Sequence, residues 1–109
     1  VAWLLREDEV LAALEVATSR RERMRGLLGR DSIDGALLIR PGKSVHSFGM
    51  RFPLDVAFCD RNMVVLRTVS LPPNRLTRLS LRCSNIIEAE MGAFERWKLR
   101  RGDQLEVRE

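Results

Sequence analysis

Short apolar runs, each closed by turn residues, recur along this chain about every 8–12 residues, and that spacing constrains its fold more than any other feature. The runs are Val1–Arg6, Val10–Ala17, Ala36–Ile39, Val45–Arg51, Leu54–Cys59, Met63–Val69, Ile86–Met91 and Gln104–Arg108. Turn chemistry separates them: Glu7-Asp8-Glu9, Asp31-Ser32-Ile33-Asp34-Gly35, Pro41-Gly42-Lys43, Phe52-Pro53, Asp60-Arg61-Asn62 and Arg101-Gly102-Asp103. The first two runs read as a hairpin. A helix over Glu9–Ala17 is the rival, because Leu11, Ala12, Ala13 and Leu14 are good helix formers. The pattern predicts a mainly β (α+β) domain: a small distorted antiparallel β-barrel or folded sheet of about seven or eight short strands. All 109 residues fit one domain.

One helix is well signalled. Ser19 and Glu22 have capping-box spacing, in which the hydroxyl accepts the N3 amide and the carboxylate reaches back to the cap. Met24, Leu27 and Leu28 then share a face, and Gly29 can close the helix in a left-handed conformation. These signals place the helix near residues 19–28, over Arg20–Leu28. Phe94 and Trp97 suit a helical turn or two between Gly92 and Leu99. Ser70–Asn85 is the least regular segment: Pro72-Pro73-Asn74 forbids pairing at its start, and Arg75, Arg78 and Arg82 punctuate Leu76, Leu79 and Leu81.

The central stretch His46–Asp60 carries the only histidine. Strand parity puts Val45, Ser47, Gly49 and Arg51 on one face, with His46, Phe48 and Met50 on the other. Beyond the Phe52-Pro53 break, Leu54, Val56 and Phe58 share a face opposite Asp55, Ala57 and Cys59. Phe48, Met50 and Phe58 read as core. Asp55 is the most informative residue, since a carboxylate in an apolar strand must find partners. Arg51, Arg23 and His46 are candidates, and so are backbone amides after Phe52-Pro53. Glu88 is a second carboxylate on a late strand.

Composition narrows the function. Of 19 basic residues only Lys43 and Lys98 are lysines, a skew that reflects coding bias better than nucleic-acid binding. No phosphate-binding glycine loop or aromatic interleaving accompanies the arginines of the helix, whose bland reading is a solvated face. One His with two scattered Cys, Cys59 and Cys83, gives poor material for a metal site, and no cofactor motif is present. No run is long enough to span a membrane and no leader is evident, so the expectation is a cytoplasmic protein with no membrane partner.

Arg23 with Gly26-Leu27, Gly35-Ala36-Leu37-Leu38, the whole of His46–Phe58, Ile87-Glu88-Ala89 with Gly92, and Gly102-Asp103 together closely resemble the prokaryotic "domain of unknown function 192" family. The likeness runs from about Leu14 to the C-terminus. It implies a β-rich domain with a helix after the first strands, in the short form without a leader peptide. It implies no activity. Gly26, Gly35, Met50, Pro53, Gly92, Gly102 and Asp103 are the landmarks of the motif.

These residues predict a binding module with a polar site of His46, Arg51, Asp55 and Glu88, with Arg23 nearby. Its partner would be a small polar or anionic ligand, or a protein segment. A hydrolase is the second reading, with Asp55 orienting His46 and either Cys59 or water as nucleophile. It lacks a nucleophile elbow, and Ser47 falls opposite His46. A basic nucleic-acid accessory protein is the third.

Overall fold

The computed structural model describes Ala2–Glu109. Seven strands form one open, mixed sheet in the order β5-β4-β6-β3-β2-β1-β7. They are β1 (Ala2–Arg6), β2 (Glu9–Ala17), β3 (Ala36–Ile39), β4 (Leu54–Cys59), β5 (Val65–Leu71), β6 (Asn85–Glu90) and β7 (Glu106–Arg108). Two short helices, α1 (Arg20–Arg25) and α2 (Ala93–Trp97), follow β2 and β6. The hairpin reading of the N-terminal segment holds, with Glu7 and Asp8 turning at positive φ; Val1 lies outside the described residues.

One pairing departs from the antiparallel expectation. β2 and β3 run parallel, Leu14 opposite Ala36. Parallel neighbours need a crossover, and α1 with its following turns supplies it. The sheet folds so that its edges approach through the single bridge Val64–Gln104, but no ladder closes it into a barrel.

β3 and β4 are buried at every residue, as central strands covered on both faces must be. One core holds Leu4, Leu38, Ala57, Cys59, Val65, Ile87 and Ala89, under Phe94 of α2. The other holds Leu37, Ile39, Leu54, Val56, Phe58 and Ile86, under Leu27 and the connections that carry Val45, Met50 and Phe52. The predicted opposition of Leu54, Val56 and Phe58 to Ala57 and Cys59 is thus realised. Phe94 and Trp97 pack as the spacing predicts, with ring centroids 5.4 Å apart.

Val45–Arg51 is not a strand. Parity holds as far as Phe48, with Val45 and Ser47 buried and His46 and Phe48 exposed. A turn then intervenes: Met50 N–H donates to Ser47 O at 3.1 Å, and Gly49 has φ +79°. Met50 therefore drops into the core instead of joining His46 and Phe48. Only His46 pairs, in an isolated bridge to Leu76. Ser47 explains why the chain leaves the ladder here: its hydroxyl donates to Pro72 O at 2.6 Å and accepts Arg75 N–H at 2.9 Å. The β5 strand starts two residues later than expected and extends to Leu71, because Asp60 Oδ1 accepts both Asn62 and Val64 amides and lengthens the turn.

The Ser19–Glu22 capping box forms as predicted, but α1 stops at Arg25 and not at Leu28. Gly26 ends it, at φ +51° and ψ −127°. An L side chain rarely adopts that backbone. The early exit sends Leu27 into the core and leaves Met24 outside, so the expected Met24/Leu27/Leu28 face is split.

Candidate functional site

Sheet register decides which carboxylates can meet. Across β4 and β6, Asp55 stands opposite Ala89 and Val56 opposite Glu88. Directly opposed residues point to the same face. Asp55 therefore projects with Ala89 beneath α2, and Glu88 projects with Val56 toward α1. The two carboxylates lie on opposite sides of the sheet.

Asp55 is consumed structurally. Its Oδ2 accepts Gly92 N–H at 2.9 Å and Phe94 N–H at 3.1 Å, and Oδ1 lies 3.4 Å from the Ser70 hydroxyl. The backbone-amide reading of Asp55 is right in kind, but the amides belong to the start of α2 and not to the Phe52-Pro53 corner. A tertiary carboxylate thus performs the N-cap that Gly92 has no side chain to make. A depression of about 770 Å³ lies beside it, lined also by Ser70, Gly92, Lys98 and Arg100. Asp55 keeps little acceptor capacity to offer there.

Glu88 is the reverse case. It is 3% exposed, and its Oε1 has no hydrogen-bond partner among the described residues. It lines a cavity of about 480 Å³ between α1, the 41–50 connection and the sheet. Ligand pockets commonly fall in that size range. Burial raises the carboxyl's pKa to about 7, since nothing compensates the lost water around its charge. Gly26 stands directly against it, where an added Cβ would lie 3.3 Å from Oε1.

The walls are amphipathic. Leu54, Ile39 and Met50 line the interior with Glu88, while Met24, Leu28 and Phe48 are largely exposed around it. His46 stacks on Phe48 with ring centroids 5.4 Å apart. Arg20, Arg23 and Arg25 border the same space, and none is ion-paired among the described residues. Arg23 is held in place by bonds to Thr18 O at 3.2 Å and Pro41 O at 3.4 Å.

The structure thus brings together His46, Glu88 and Arg23, and separates them from Asp55 and Arg51. Arg51 turns away to pair with Asp31 at 3.0 Å on the exposed surface. His46 and Asp55 form no pair, and Cys59 is fully buried, its thiol raised by burial to about 12. The constellation imagined for a hydrolase is therefore not assembled. Phe48, expected in the core, is 51% exposed and forms a cavity wall. Arg20, Arg25, Met24 and Leu28 join the site beyond the residues that the sequence points to. The i, i+4 spacing of Met24 and Leu28, and the shared parity of Phe48 with His46, were the available signals. No group of three or more His, Cys, Asp or Glu able to hold a metal ion occurs among the described residues. Among the described residues no helix is long and apolar enough to cross a membrane.

The landmark residues are mostly structural. Gly35, at φ +105°, passes so close to β2 that a Cβ would meet Ala13 O at 2.5 Å. Pro53 O accepts Met91 N–H at 3.1 Å, and Gly102 N–H donates to Val65 O at 2.8 Å. Asp103 accepts Arg6 at 3.0 Å, while Arg6 also binds Trp97 O at 2.7 Å, tying α2 to β1.

Comparison with known proteins agrees with this architecture. The family model DUF192, described as an "Uncharacterized ACR", matches residues 4–107. A solved protein of unknown function from Novosphingobium aromaticivorans superposes with a TM-score of 0.82 at 16% identity, covering 96% of this chain and 82% of that one. A Sinorhizobium meliloti protein, provisionally named a transcription regulator, gives a TM-score of 0.80 at 19% identity, covering 97% and 91%. At these identities the likeness is one of fold. No curated protein matches the chain.

Proposed function

The chain belongs to the DUF192 family, and from that premise we propose that it is a small-ligand binding module whose site is the cavity above Glu88. The observation that carries this reading is the Glu88 Oε1, unpartnered among the described residues, at a cavity with apolar and arginine walls. A buried polar atom without a partner costs stability, so each one that a native structure retains has a reason, and a bound ligand is one such reason. The ligand that fits has three parts. A hydrogen-bonding group meets Glu88. An apolar body lies against Leu54, Met50 and Phe48. An anionic group reaches Arg20, Arg23 or Arg25, whose forked donors suit carboxylate or phosphate. A cytoplasmic setting is part of the same reading, supported by the free thiols of Cys59 and Cys83.

A thermal-shift screen of small amphipathic anions tests the proposal. A ligand present at a hundred times its Kd stabilises the native state by about 2.7 kcal/mol. Its effect should shrink at least tenfold in affinity in Glu88→Ala and in Arg23→Ala, and persist in Arg51→Ala. A binder equally insensitive to all three substitutions would place the site elsewhere and refute the assignment.

A further inference from the structure

The connection between β5 and β6 inverts the usual relation of side chain to solvent. Thr77 points inward and is buried, while Leu76, Leu79 and Leu81 are 66%, 60% and 78% exposed. This display is built and not a frayed tip. Ser47 N–H donates to Arg75 O at 2.7 Å, Thr77 N–H to Val45 O at 2.8 Å, and Ser80 N–H to Lys43 O at 2.9 Å. Lys43 Nζ then closes the far end on Leu81 O at 3.0 Å and Cys83 O at 2.7 Å. The backbone is fixed from behind, and the leucines are what it holds out.

Charge accompanies them. From Arg61 to Ile87 the chain has five arginines and no acidic residue. Arg75, Arg78 and Arg82 alternate with the leucines, are exposed, and make no ion pair among the described residues. The strand and turn beside the loop continue this charge: Arg101 lines a shallow groove with Leu79, Leu81 and Arg82, and no carboxylate lines it.

We propose that this loop is a peripheral docking surface for an anionic lipid bilayer, with Leu76, Leu79 and Leu81 entering the acyl boundary and Arg75, Arg78 and Arg82 at the phosphate level. Leucines this exposed have little protein wall around them; they fit a partner that supplies the apolar interior itself. The arginines match the negative surface of such a membrane. Nucleic acid shares the charge but not the apolar requirement, and no aromatic side chain lies between Phe58 and Phe94 to stack on bases. A sequence without a membrane span can still carry such a face. The proposal is independent of the cavity.

Vesicle flotation tests it, using phosphatidylcholine alone and phosphatidylcholine with one third phosphatidylglycerol. The wild-type chain should float with the anionic vesicles, less so at high salt. Replacing Leu76, Leu79 and Leu81 together by Ser should weaken binding by about tenfold per leucine inserted. Replacing Arg75, Arg78 and Arg82 by Gln should cost about fivefold per arginine. Unchanged circular dichroism shows that both variants fold, and Glu88→Gln should float like the wild type. Failure to bind anionic vesicles overturns the proposal, as does undiminished binding by the serine variant. A dimer in sedimentation that the serine variant abolishes would assign the surface to a second copy and overturn it too. So would tighter binding to duplex DNA that ignores the leucines.

Discussion

Glu88→Gln should stabilise the protein, and only above the acid range. The carboxyl is buried in the native state with Oε1 unpartnered among the described residues, and burial raises its pKa there to about 7 against an ordinary 4.5. Below pH 4.5 the group is protonated in both native and unfolded chains and contributes no pH dependence. Between 4.5 and 7 the unfolded chain ionises first, so the native state binds more protons and stability falls as pH rises. Above 7 the loss is complete. The gap of about 2.5 between the two pKa values is worth about 3 kcal/mol, at 1.36 kcal/mol for each pH unit. Glutamine keeps the shape and cannot ionise. The wild type and Glu88→Gln should therefore unfold in urea with a difference that grows by up to about 3 kcal/mol between pH 4 and pH 8, and the Tm gap should widen on the order of 10 °C. A difference that stays flat across this range would refute the reasoning, because it would mean that the ionised carboxyl has a compensating partner or water. A ligand that donates a hydrogen bond to Glu88 should reduce the pH dependence, which makes the same titration a check on the proposed site.

Three further outcomes follow from the geometry. Asp55→Ala should destabilise by about 2–3 kcal/mol in urea unfolding, because it orphans the Gly92 and Phe94 amides, yet leave ligand affinity in the cavity unchanged; a loss of affinity without a loss of stability would reverse the roles assigned to Asp55 and Glu88. Gly26→Ala should cost about 1–2 kcal/mol for its positive φ and also perturb Glu88, seen as a displaced pH midpoint in the titration above; a neutral substitution would show that the α1 exit is pliable. Cys59 should resist alkylation by iodoacetamide at neutral pH in the native protein, since burial holds the thiol near 12, and label on unfolding; modification of native Cys59 at the rate of a free thiol would contradict its placement.

Local chemistry made most of the fold legible. The Glu7-Asp8 turn, the Ser19–Glu22 box and the two-faced Leu54–Cys59 run each encode their element within a few residues, and each is found where those residues put it. What failed was decided by contacts distant in sequence. The apolar parity of Val45–Met50 suggests a strand, but Ser47 spends its hydroxyl on Pro72 and Arg75, and the chain turns at Gly49. Helix propensity carries α1 past Arg25, but Glu88 and the core beneath Leu27 favour a glycine exit at Gly26. The parallel pairing of β2 with β3 depends on where a crossover lands, which no local pattern states.

The candidate site turned on one integer. Asp55 and Glu88 each stood in an apolar strand, and each needed an explanation for its charge. Whether they share a cavity depends on the parity of the β4–β6 register, because a shift by one residue exchanges the faces. Had Asp55 opposed Glu88, the two carboxylates would have flanked one site. With Asp55 opposite Ala89 they answer separate problems. One satisfies the start of α2 and is used up by doing so. The other faces a cavity, its Oε1 without a partner among the described residues. A sequence can show that two buried acids demand partners. Only the register shows that one of them faces the amides that satisfy it, while Oε1 of the other has no partner among the described residues.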